Sequence, residues 1–271
     1  MKSTFIIIII LLIYQGLQAQ DADRFFEQPF ELSSIQLNRA TESYNLEVCE
    51  SYLQFLEAPF ATNKKVSITE EEFHSLKNDV ADKLLAQSNL PDDFNQRFLA
   101  MLDNKSLSSV WHNYIIQKLD VLFEHSNDVR LKTRIVSRLF RETRNPKPTI
   151  SGTSLMTLFR LEKKFSEVVD ETKLSKRAEW LTEQERYPFQ DRLSALHVLA
   201  ELSPEKAFVP ARKWLRDENS HTMLKTAALA VLGKSASADD VALIESYQNH
   251  PDLRLKTASE NALKISAISI K

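Results

Sequence analysis

The chain is 271 residues long, with a formal net charge of −2 at pH 7, 43% hydrophobic residues, three glycines and a single cysteine. One cysteine cannot close an intramolecular disulfide, so packing alone must hold the fold. Gly16, Gly152 and Gly233 are too few to supply the positive-φ turns of a sheet protein, the glycine turn of a dinucleotide-binding fold or a phosphate-cradling loop, and what they leave is an all-helical chain.

Lys2 precedes an uninterrupted apolar run from Phe5 to Tyr14, and Ala19 offers a small residue before a cut. The run is shorter than the roughly 20 residues that cross a bilayer, so residues 1–19 read as a cleavable signal peptide and the protein as exported, periplasmic or extracellular. Leu17, where a small residue is preferred, leaves an uncleaved anchor as the alternative, and membrane contact is expected only in that case. The mature chain is long enough for one or two ordinary cores, or for one solenoid that has no central core.

Residues 20–144 read as an N-terminal helical region. Ile35, Ala40, Tyr44, Val48, Tyr52, Phe55 and Leu56 recur at helical spacing, Cys49 among them as a small buried hydrophobe, and Pro59 ends the run. Thr69 and Glu72 form a capping box ahead of Phe73, Leu76, Val80 and Leu84. Pro91 opens a helix carrying Phe94, Phe98, Leu99 and Leu102, and another is expected from Ser106 to Phe123. Asp128 opens a helix with Leu131, Ile135, Val136, Leu139 and Phe140 on one side and Arg130, Arg134, Arg138 and Arg141 on the other. Asn145 to Gly152, with two prolines and a glycine, is the clearest break in the mature chain and separates this region from residues 150–271. Helices from Ser154 to Phe165 and from about Leu174 to Leu181 come next.

From Asp191 to Ser266 the chain repeats itself. Arg192 to Leu196, Met223 to Ala227 and Arg254 to Ala258 are near-copies whose leucines, Leu193, Leu224 and Leu255, stand 31 residues apart, about the length of a helix, a turn, a second helix and a turn. Asp128 to Thr133 matches Asp252 to Thr257 almost letter for letter, so the repeat reaches upstream. The second helices, with Phe208 and Trp214 matching Val241 and Tyr247, step by 33, which calls for a small insertion in the intervening turn. Ser203 and Ser237 open helices and Gly233 closes one. Small residues at Ala195, Ala228 and Ala258 admit close helix approach, while Leu196, Leu199, Leu229 and Leu232 fill the space between. The expected architecture is all-α, a row of stacked helical hairpins.

Asp252-Leu-Arg254-Leu-Lys-Thr-Ala258, echoed in Lys225 to Gly233, resembles the HEAT repeat in its short bacterial form, most clearly over residues 187–266. The resemblance implies an α-solenoid, or α-α superhelix, whose Asp caps the first helix and whose curved rod binds proteins. Met223 at the Arg position and Arg134 at the first Ala position depart from that pattern, and the N-terminal third carries none of it. Similar repeats form the C-terminal domain of some secreted zinc aminopeptidases, whose catalytic domain has no counterpart here.

Chemistry is sparse. His74, His112, His125, His197, His221 and His250 include no His-Glu-x-x-His pair, one cysteine excludes thiolate metal sites, and no Gly-x-Ser-x-Gly elbow occurs. Asp92-Asp93 and Asp239-Asp240 stand at helix starts, where the macrodipole favours them. No catalytic residue, metal, cofactor or small-molecule ligand is expected, and the chain reads as a non-enzyme. Charge is more informative. From Asp21 to Asp128 there are 19 acidic and 9 basic residues; from Arg130 to Arg177 there are 5 acidic and 13 basic. Arg130, Arg134, Arg138 and Arg141 make one helix stripe, with Lys163, Lys164, Lys173, Lys176 and Arg177 following, and this is the candidate surface for an anionic partner. Nucleic acid is not expected, because no aromatic residues interleave on that stripe. The leading expectation is an exported, non-enzymatic scaffold or adaptor with a protein partner. The alternatives are an envelope hydrolase built from scattered carboxylates and histidines, and an anionic-surface binder using the arginine stripe. Asn104-Lys105-Ser106 is a sequon that matters only in a glycosylating pathway.

Overall fold

A computed structural model describes residues 43–60, 68–235 and 237–269, with the side chains of 268 and 269 outside that description. The expected signal peptide, residues 1–19, and the helical pattern before residue 43 lie outside the described residues. Among the described residues there are twelve α-helices and no strand, and no helix is long and apolar enough to cross a membrane. The chain forms two compact units that divide between Asn127 and Asp128.

The first unit contains α1 (Leu46–Glu57), α2 (Glu70–Leu85), α3 (Phe94–Ala100), a 3-10 turn (Met101–Asp103) and α4 (Ser109–His125). Local signals place its helix starts. Asn45 Oδ1 accepts from Val48 N at 2.8 Å, and Thr69 Oγ1 accepts from Glu72 N at 3.2 Å while Glu72 Oε2 accepts from Thr69 N at 2.7 Å, the reciprocal box expected there. Cys49, Leu53, Leu56, Val80, Leu84, Phe98, Trp111 and Ile115 form its core. Two of its cations tie α1 to its neighbours. Arg97 on α3 clamps Glu50 at 2.8 Å and Glu57 at 2.6 Å on α1. Lys77, buried on α2, donates to Leu56 O at 2.7 Å and Ala58 O at 2.6 Å, satisfying carbonyls that α1 leaves open at its C-terminus, with its ammonium 5.0 Å from the Phe73 ring and 5.2 Å from that of Trp111.

The second unit is a row of stacked hairpins: α5 (Val129–Glu142) with α6 (Ile150–Lys164), α7 (Glu171–Glu183) with α8 (Phe189–Leu202), α9 (Pro204–Arg216) with α10 (Thr222–Leu232), and α11 (Ala238–Glu245) with α12 (Leu253–Ser269). Along the row α6, α8, α10 and α12 pack each on the next and form one layer; α5, α7, α9 and α11 lie in the other. The near-identical phrases at Asp128 and Asp252 become identical caps. Asp128 Oδ1 accepts from Arg130 N, and Asp252 Oδ1 from Arg254 N, both at 2.8 Å.

The phase of the repeat differs from the 31-residue reading at its first step. Leu224 and Leu255 are 1% and 2% exposed, but Leu193 is half-buried. The buried positions that correspond are Ala195 with Ala228, Leu196 with Leu229 and Leu199 with Leu232, all 33 apart, which is also the step of the second helices. The turn between them therefore carries no insertion. From α10 to α12 the step is 31, from Leu224 to Leu255.

Both glycines of the second unit answer to close packing. A Cβ on Gly152 would lie 2.8 Å from Asp191 Cα, and one on Gly233 would lie 2.9 Å from Ala262 Cα. Gly233 ends α10 in ordinary right-handed backbone, φ −57. Gly152 sits in the first turn of α6, and α5 and α6 pack together across the Asn145 to Thr149 stretch, so the prolines there mark a hairpin turn inside the second unit. α6 starts earlier than its sequence suggests because its cap is distant. Asp191, fully buried on α8, accepts from Gly152 N at 2.6 Å and from Thr149 N at 3.1 Å, and it holds Thr149 at φ 67, a left-handed conformation that threonine rarely adopts. Burial pushes the Asp191 carboxyl up, against the two amide donors. Ser203 makes no cap bond to α9; its hydroxyl pairs with that of Ser175 at 2.8 Å.

Candidate functional site

The four stripe arginines do not share one environment. Arg130 and Arg134 are exposed. Arg138 folds onto Glu142, Nε to Oε1 at 2.8 Å, with only 11% of its side chain exposed. Arg141 approaches the same Glu142 at 3.8 Å and lines a groove of about 860 Å3 between α5 and α7. Phe140 and Arg144 join it from the α5 side. Asp170, Thr172, Lys173, Lys176, Arg177 and Trp180 line it from the α7 side. On α7 the cations and the tryptophan recur three and four residues apart, which puts them on one face. Lys173 Nζ lies 4.2 Å from the Phe140 ring centre and the Arg177 guanidinium 4.7 Å from that of Trp180. Tyr187 fixes the far wall by donating to Arg144 O at 2.9 Å and meeting Trp180 edge-on. Burial, with the nearby Arg144 charge, pulls the Arg177 guanidinium below its ordinary range.

The other layer carries a different opening. Met156 of α6, Leu193, Leu196, His197 and Ala200 of α8, and Ala227, Ala230 and Val231 of α10 line a groove of about 520 Å3, with Glu201 and Lys234 paired at 3.4 Å on its edge. It exists because α8 presents Leu193 and His197, and α10 presents Ala227 and Ala230, outward from the buried register. His197 is exposed and meets the Phe159 ring edge-on.

A third recess, of about 380 Å3, lies in the first unit and includes His74, Ser108, Lys77 and Trp111. Ser108 Oγ lies 2.8 Å from His74 Nε2, and Glu70 Oε1 lies 3.4 Å from the same nitrogen, while His74 Nδ1 is buried without a hydrogen-bond partner. A nucleophile relay needs the carboxylate on the second ring nitrogen, so this is not that arrangement. Ser108 also caps α4 by accepting from Trp111 N at 3.2 Å. Burial lowers the affinity of His74 for a proton, against the pull of Glu70, and burial pushes the Lys77 ammonium down to about 7.

The remaining histidines hold the backbone. His112 Nε2 meets Asn104 O at 3.2 Å, His125 Nδ1 meets Leu85 O at 3.0 Å, and His221 and His250 accept from Met223 N and Asp252 N. Among the described residues no group of three or more His, Cys, Asp or Glu could hold a metal ion. The sequence placed Lys173, Lys176 and Arg177 in the basic region, and their spacing could have shown a common face. Phe140, Arg144 and Trp180 carried no such signal, since only the hairpin stack brings α5 opposite α7.

No protein-family model matches the chain, and no curated protein matches it. Among solved structures it is similar to human deoxyhypusine hydroxylase in complex with glycerol, with 13% identity and a TM-score of 0.36 over 94% of this chain and 99% of that one. It is also similar to a designed armadillo repeat protein, with 12% identity and a TM-score of 0.25 over 86% of this chain and 98% of that one. The expectation that the chain is not an enzyme is withdrawn: the first of these two solved structures, at a TM-score of 0.36, is named as an enzyme.

Proposed function

We propose that this chain is an exported α-solenoid of the HEAT-like type that acts as a protein-binding scaffold or adaptor, taking an amphipathic helix of a partner into the groove across α6, α8 and α10. The observation that supports the reading most is the composition of that groove. Leu193, Ala227, Ala230 and Val231 are apolar side chains from two successive hairpins that stand outside the buried register, over buried Leu196, and Met156 adds a third hairpin. A stripe of this kind accepts apolar side chains at i, i+3, i+4 and i+7 of an incoming helix. His197 with the Glu201–Lys234 pair supplies a polar rim that fixes register. Export rests on residues 1–19.

The test is capture of a stoichiometric partner from an envelope extract, with variants that touch the groove and no core residue. Ala230 is exposed, so Ala230→Glu should leave folding intact and abolish capture, while Val209→Asp, on exposed Val209 of α9 in the other layer, should leave capture unchanged. Equal capture by the Ala230→Glu and parent chains sinks the reading.

A further inference from the structure

The α5–α7 groove collects positive charge with one acid beside it. On the helices that follow, three exposed lysines find acids: Lys206 with Glu179 at 3.1 Å, Lys213 with Glu185 at 3.5 Å and Lys234 with Glu201 at 3.4 Å. In the groove Arg144, Lys173, Lys176 and Arg177 make no ion pair among the described residues, and Arg141 lies at its edge. The one acid lining it, Asp170, accepts from Lys173 N at 2.9 Å as the cap of α7. We infer that this groove binds an acidic segment of a partner protein, a stretch of extended chain carrying Asp or Glu at alternate positions.

The details choose among polyanions. The rings are not free for stacking, because Lys173 lies over Phe140 and Arg177 over Trp180; a nucleic-acid base would have to displace them. The cations line a recess rather than a projecting flat rim, which suits a strand of peptide and not the plane of a membrane. Each ring also holds its cation in place, so less side-chain freedom is lost when a carboxylate arrives. Lys173 to Trp180 covers about 10 Å of helix at about 1.5 Å per residue. Alternate side chains of an extended chain stand about 7 Å apart, so two or three carboxylates on one side of a strand meet the ammonium and guanidinium groups in turn.

The probe is a fluorescein-labelled oligoglutamate titrated into the purified full chain and followed by anisotropy. Saturable binding is expected, weakening about ten-fold as sodium chloride is raised from about 50 to about 200 mM. Lys176→Glu and Arg144→Glu, both at exposed positions, should each weaken it about ten-fold or more, and Arg130→Glu and Arg134→Glu, outside the groove, less than about two-fold. Circular dichroism melts establish that each variant folds, and the milder Lys173→Gln stands in for any that does not. The inference is overturned if oligoglutamate does not bind, if groove variants bind like the parent, if Arg134→Glu weakens binding as much as Lys176→Glu, or if phosphatidylglycerol vesicles or a single-stranded oligonucleotide bind the groove more tightly than the peptide. Oligoglutamate has no apolar side chain to enter the α6–α8–α10 groove, so its failure leaves the reading of that groove standing.

Discussion

Both units bury apolar helix faces without a disulfide, but by different means. In the first, single polar contacts join helices of unequal length: Lys77 closes the end of α1, and Arg97 holds α3 to α1 through two carboxylates. In the second, the same contact recurs along the row, with Ala195 and Ala228 admitting close approach and Leu196, Leu199, Leu229 and Leu232 filling the gaps. A repeated contact spreads the load over neighbours, whereas a single pin concentrates it. Repetition also frees the outer faces of both layers from structural duty, and that is where the two grooves of opposite chemistry lie.

The largest expected effect comes from breaking the repeat in its middle. Leu229 is fully buried on α10, which packs against α8, α9 and α12, so Leu229→Ala should cost about 2–5 kcal/mol by urea denaturation. Next is Gly233→Val, whose Cβ meets the Ala262 backbone at 2.9 Å; forcing α10 and α12 apart should cost about 1–3 kcal/mol in the same assay. Loss of either value would mean that the second unit does not depend on its neighbour contacts.

The first unit is sharpened by pH. Burial holds the Lys77 ammonium at about 7 against an ordinary value of 10.5, so between those values the unfolded chain binds the extra proton. Stability of the first unit should therefore rise with pH across that window, and Lys77→Met should flatten the rise while removing the closure of α1. A rise of equal size in both chains would show that Lys77 is not its source. The smallest effect belongs to the surface. Lys206→Ala removes an exposed pair with Glu179 and should change stability by about 0.5 kcal/mol or less.

The sequence exposed much of this architecture because helical periodicity and local caps are short-range signals. Thr69 with Glu72, and the twin caps at Asp128 and Asp252, needed only their neighbours to be read. The phase of the first repeat step was harder. α8 carries leucines at 193, 196, 199 and 202, so two registers offer a buried leucine stripe, and only packing against α10 selects Leu196 and Leu199 over Leu193. The start of α6 depends on Asp191, far along the chain, and the α5–α7 groove on the opposition of Phe140 and Arg144 to Trp180. No local pattern carries such contacts. The arginine stripe was legible as charge, but not the way Glu142 draws Arg138 inward and also approaches Arg141 beside the groove.

The most direct test of the scaffold reading is photocrosslinking in the organism that makes the protein, with a photoreactive residue placed at Ala230 in the α6–α8–α10 groove or at Val209 on α9. Ala230 should give one dominant adduct whose mapped peptide is an amphipathic helix of a stoichiometric partner, and Val209 should not give it. The same adduct from both positions, or none from Ala230, contradicts the account.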